Sequence, residues 1–188
     1  MVRYNFFFQM KKISFVVVAI IFGHLTRAQE PISDVVTLTL PAKAKILTKD
    51  QFLTYEHYAF KYSRSKAFEN DNRFYTNLYS IYGILTRFFD LNVSPDDNRT
   101  LEQLQQEMAK RIMNRNVNMV INYSKIITIN DIPFLICEYQ TADEVFLRFM
   151  SYKNNNKLIT GVFEFKKPNE ELAQKLLDNM LNSMHFKN

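Results

Sequence analysis

Few side chains in this 188-residue chain could do chemistry near neutral pH, and their spacing argues against most reactions. His24, His57, His185 and the single cysteine, Cys137, are the side chains suited to act as a base, a thiol nucleophile or a soft metal ligand. Zinc needs several such ligands at short intervals, and neither H-E-x-x-H nor C-x-x-C occurs. A hydrolase built on His57 would call for a strained G-x-S-x-G elbow, which the sequence lacks. Loops that cradle phosphates need clustered glycines so that backbone N–H groups can approach the ligand, yet Gly23, Gly83 and Gly161 lie far apart. Asp96-Asp97-Asn98 gathers hard oxygen ligands but lacks the spacing and distal glutamate of a calcium loop, so it reads as a solvated turn. Cys137 lies in the apolar run Phe134–Tyr139 and is expected to pack as a small hydrophobe. No catalytic residue, metal or cofactor is expected.

The tyrosines offer a different kind of chemistry. Six of the ten lie between Tyr55 and Tyr82, and Tyr55, Tyr58 and Tyr62 fall at i, i+3 and i+7, which places them on one face of a helix. Tyrosine joins a large contact area to a hydrogen-bonding tip, so this stripe is a candidate interaction surface. The same spacing also suits a helix packing onto a sheet with its hydroxyls at the rim.

The formal charge of +5 is concentrated at the start of the chain. Arg3, Lys11, Lys12 and Arg27 fall in the first 28 residues, where no acid occurs, and the remainder carries 20 bases against 19 acids. Such a balance gives no reason to expect nucleic acid as a partner. Lys11 and Lys12, the apolar run Ile13–Phe22 and the small residues of Thr26-Arg27-Ala28 form the three parts of a secretory signal, with cleavage expected after Ala28. A run of ten residues is too short to cross a bilayer, which takes roughly 20. No cysteine follows the run to accept a lipid, so residues 29–188 are expected as one periplasmic or secreted domain with no stable membrane anchor.

Caps and periodicity order the rest. Val35–Leu40 reads as a strand closed by Pro41. Thr48-Lys49-Asp50-Gln51 is a capping box that opens a helix to about Tyr62. Phe74–Leu91 reads as two strands joined near Gly83. A second capping box, Thr100-Leu101-Glu102-Gln103, opens a helix carrying Leu101, Leu104, Met108 and Ile112 on one face. An antiparallel meander follows: Val120–Ile129, Phe134–Gln140, Val145–Tyr152 and Leu158–Phe165. Its strands carry apolar residues on both parities, so both faces must be covered. Pro168 then begins a helix whose stripe Leu172, Ala173, Leu176, Leu177, Met180, Leu181 and Met184 must be buried on the sheet. The expected fold is α+β, an antiparallel sheet with helices on both faces, that is, an α/β/α sandwich. A curved cystatin-like or nuclear-transport-factor-like sheet is the alternative.

The run Lys157–Phe165, leading through Pro168 to Leu181-Asn182-Ser183-Met184-His185-Phe186, resembles PsbP-like domains, and also small exported bacterial proteins of uncharacterised function. The resemblance spans Met119 to Phe186, about a third of the chain, and no site residue is carried by it. It implies a non-enzymatic accessory role outside the cytoplasm. The expectation is therefore an exported accessory or protein-interaction domain with a protein partner in the cell envelope or beyond it. The alternative is a binding protein for an apolar or aromatic small molecule, held between the tyrosine helix and the sheet.

Overall fold

The computed structural model describes residues 29–31, 33, 36–59, 76–115, 119–142 and 144–187. The predicted leader and its cleavage point at Ala28 lie outside them. In chain order the elements are β1 (Gln29–Pro31), β2 (Val36–Thr39), β3 (Ala44–Ile46), α1 (Lys49–Ala59), β4 (Leu78–Ile81), β5 (Ile84–Asn92), α2 (Leu101–Arg115), β6 (Val120–Ile129), β7 (Ile132–Gln140), β8 (Val145–Ser151), β9 (Lys157–Phe165), α3 (Glu170–Asn182) and β10 (His185–Phe186). A seven-stranded antiparallel sheet runs β3-β4-β5-β9-β8-β7-β6.

Strand alternation sorts the sheet's side chains into two cores. On one face Ile84 and Phe88 of β5, Phe163 of β9, Leu147 and Phe149 of β8 and Ile136 of β7 meet Ala173, Leu176, Leu177, Met180 and Leu181 of α3. On the other face Leu101, Met108 and Ile112 of α2 pack on Leu135 and Cys137, while Phe52 of α1 packs on Leu78 and Leu85. The two-parity pattern read from the sequence thus has its cause: helices cover both faces, as in an α/β/α sandwich.

Both capping boxes form. The Thr48 N–H donates to Gln51 Oε1 at 3.0 Å, and the Gln51 N–H returns a bond to Thr48 Oγ1 at 3.2 Å. Thr100 and Gln103 repeat the exchange at 2.9 and 3.3 Å. Among the described residues, three two-residue hairpins hold both central residues at positive φ: Tyr82-Gly83, Asn130-Asp131 and Asn155-Asn156. That conformation matches the right-handed twist of the strands they join.

The structure departs from the sequence reading in three places. The first strand does not join the main sheet; β2 is the centre of a separate three-stranded sheet, β1-β2-β10. Its Val36 and Leu38 belong to the α3 core, and the Thr39 N–H donates to Ser183 Oγ at 3.0 Å, so the small sheet closes beside α3. Pro168 lies in a 3-10 turn, Lys167–Asn169, that precedes α3. The short strands β1, β3 and β10 had no counterpart in the periodicity, since two or three residues cannot display a period.

Candidate functional site

Strand β3 is one edge of the main sheet, and a surface groove of about 340 Å³ opens along it, lined by Ala42, Lys43, Ala44, Lys45, Ser80, Tyr82 and Gly83. The register Lys45↔Ser80 sets both side chains on the α1 face, and the Lys43 Nζ lies 5.7 Å from the centre of the Tyr82 ring. Ala44 and Ile46 point to the opposite face. Ala44 is packed against the α3 core, while Ile46 is 74% exposed. Tyr82 is 48% exposed and sits at φ 53°, a left-handed position where its bulky side chain is disfavoured. The edge is therefore basic on the groove face, displays Ile46 on the opposite face and carries a half-exposed aromatic ring at its hairpin tip.

A second cluster lies on the α1/α2 face, over the middle of the sheet. The Arg87–Glu164 ion pair spans 3.7 Å, with Glu164 buried, and the Arg87 guanidinium lies 5.9 Å from the centre of the Phe52 ring. Register puts Arg87, Val162, Arg148 and Cys137 in one cross-strand row, and Leu85, Glu164, Phe146 and Tyr139 in the next. Tyr139 stacks on Phe146 with ring centres 5.0 Å apart. Burial pushes the Tyr139 phenol up, with Arg148 opposing the rise and Glu164 adding to it. The sequence carried a signal for this cluster that periodicity overlooked: Arg148 and Glu164 each stand between two apolar strand residues, and Arg87 directly precedes Phe88-Phe89.

The α3 face has a polar seal at its β6 border. Both Glu138 carboxylate oxygens accept bonds from amides, Asn122 Nδ2 at 2.9 Å and Gln174 Nε2 at 2.8 Å, and Gln174 Nε2 also donates to the Tyr123 hydroxyl. Burial pushes the Tyr123 phenol up to about 12, against the Gln174 bond and with help from the Glu138 charge. A phenol raised in the folded state contributes stability that is complete below its ordinary value of about 10 and lost as pH rises through the folded value. NMR titration of the Tyr123 ring is expected to show ionisation through about 12; a midpoint at the ordinary value would mean that the seal is open.

The sequence-predicted residues fall as follows. Tyr55 and Tyr58 belong to α1, but their side chains, and Tyr62 altogether, lie outside the described residues. Phe52, one turn earlier, is fully buried and fills the space between α1 and the sheet at that level. His185 is exposed and pairs through its backbone with Thr37. In the acidic loop Asp97 is engaged by Arg99, with contacts of 2.9 Å to Nε and 2.5 Å to Nη2, and Arg99 also bonds Glu107 at 2.8 Å. The Arg99 hydrogen bonds hold the Asp97 carboxyl down at about 2. Among the described residues no group of three His, Cys, Asp or Glu could hold a metal ion, and no helix is long and apolar enough to cross a membrane.

Cys137 is buried, as its apolar strand foretold. Burial pushes its thiol up, so little thiolate forms at neutral pH. The folded protein is expected to leave a thiol reagent unconsumed at mildly alkaline pH and to consume one equivalent once denatured. Rapid labelling of native protein would contradict this placement.

This arrangement defines a class by architecture: an antiparallel sheet between helical layers, with its side-chain chemistry at an edge and in the partly buried Arg87–Glu164 pair. No family model matches the chain, and no curated protein does. Among solved structures it is similar to cyanobacterial PsbP from Synechocystis, at 13% identity and a TM-score of 0.57, over 86% of this chain and 92% of that one. A protein of unknown function from Pseudomonas aeruginosa matches at 10% identity and a TM-score of 0.41, over 50% of this chain and 70% of that one. The PsbP likeness is one of fold, and it reaches well beyond the terminal third in which the sequence resemblance lay.

Proposed function

We propose that this chain is an exported accessory or protein-interaction domain without catalytic activity. The first 28 residues serve as a cleaved export signal and residues 29–188 act in the periplasm or outside the cell. The observation that carries the reading is the disposition of reactive and exposed groups. Cys137 is sealed in the core and Glu164 is buried beside Arg87, whereas Ile46 and Tyr82 are turned outward at a sheet edge. Among the described residues the single thiol and this carboxylate are withdrawn into the structure, and side chains that suit contact are displayed. The near balance of charge after the leader fits a protein partner better than nucleic acid. The fold shared with cyanobacterial PsbP is compatible with an accessory role.

The test has two arms. Purified protein incubated with ester, glycoside and phosphoester panels is expected to give no turnover, and tagged protein recovered from its own envelope or secreted fraction is expected to bring a stoichiometric partner. Turnover that a single substitution abolishes would overturn the reading.

A further inference from the structure

We propose that the outer edge of β3 takes up an extended segment of a partner protein in which acidic and apolar residues alternate; this rests on the protein-interaction reading above. Three independent observations meet at this edge. The first is the backbone. Antiparallel ladders use alternate residues toward each neighbour. Lys45 pairs with Ser80, and the Leu47 N–H donates to the Leu78 carbonyl at 2.8 Å, so these residues face β4. Ile46 therefore directs its N–H and C=O away from the sheet, where another strand can bond them.

The second observation is the sorting of side chains. Lysines often guard exposed edges against unwanted pairing, but here Lys43 and Lys45 share the groove face with Tyr82, and among the described residues no acid lines that groove. The opposite face of the same edge displays Ile46. Side chains of an added strand alternate between the faces. Acids would meet the two lysines on one side, and apolar residues would cover Ile46 on the other.

The third observation is strain. Of the three hairpins with two left-handed residues, the other two place Asn or Asp at both central positions, residue types that tolerate this conformation. Tyr82 does not share that tolerance, and its ring is half exposed beside Lys43. A costly aromatic at a hairpin tip is accounted for by contact with something that binds there.

Amide NMR of the purified protein, titrated with the capped hexapeptide Glu-Val-Glu-Val-Glu-Val, is expected to move the signals of Lys45, Ile46 and the Ser80–Gly83 stretch. The same peptide with Lys for Glu should leave them in place. The double variant Lys43→Glu, Lys45→Glu should weaken binding at least about tenfold. Tyr82→Asn should weaken it about fivefold while the melting temperature stays level or rises, which separates a contact role from a folding role. Equal binding of the basic peptide, shifts confined to other surfaces, or unchanged affinity in either variant overturns the proposal. An envelope partner that binds the double variant as tightly as the parent overturns it too, and leaves the accessory reading standing. Catalytic turnover in the substrate panels removes that reading itself.

Discussion

Gly161→Val destabilises the protein by about 3 kcal/mol, although valine is a far better strand former than glycine. Gly161 lies in β9, opposite Phe88 of β5 and Phe149 of β8. A Cβ at this position would overlap Phe149 Cε1 and stand 2.7 Å from Phe88 Cδ1, well inside contact distance. Neither ring can swing clear. Phe88 is packed against Tyr79 and Phe163, and Phe149 against Phe134 and Phe163, with ring centres between 5.9 and 6.5 Å apart. The glycine is a slot that lets two aromatic rings close over the central strand. Thermal melting should shift down by about 6–12 °C. The companion variant Phe149→Leu should recover part of that loss in the Gly161→Val background, a coupling that a general effect on strand propensity would not produce.

Leu177→Ala costs about 2–5 kcal/mol in denaturant unfolding. Leu177 is fully buried on the inner face of α3 and belongs to the core that includes Phe88, Leu147 and Phe163. Truncation removes apolar contact and leaves a void that the close-packed core fills only in part. Lys175→Ala is the internal control. Lys175 lies exposed on the same helix, paired at 2.6 Å with the exposed Glu171, and its loss should stay within about 0.5 kcal/mol. Similar losses for both variants would mean that α3 does not dock through this face.

What the sequence disclosed follows from the length of each pattern. Strand β6 matches its expected bounds, Val120–Ile129, and α2 begins at the residue after its capping threonine, because ten- and fifteen-residue elements show several periods and carry their own caps. The small sheet was illegible for the opposite reason. His185 pairs with Thr37, and Pro31 with the same residue from the other side. Nothing local in His185–Phe186 encodes a partner so remote in the chain, and β1, though close to β2 in sequence, is too short to show a period. At the candidate site, the hairpin at Gly83 was legible but the importance of Tyr82 was not, since its left-handed φ is a property of the backbone. Ile46 was likewise hidden within Pro41–Thr48, which shows no alternation long enough to mark an edge strand. The Arg87–Glu164 pair could have been suspected from charges set beside phenylalanines in strands, though cross-strand register was needed to bring them together.

Helices cover the sheet on both faces, while among the described residues no strand pairs with its outer β3 edge. Amide hydrogen exchange resolved by residue reads this arrangement directly. The slowest amides should be those of β5, β9 and β8, covered above and below, with α3 close behind them, while the Ile46 amide should exchange among the fastest in any strand. An Ile46 amide as protected as that of Phe88, or central-strand amides that exchange as freely as the edge, would contradict the account.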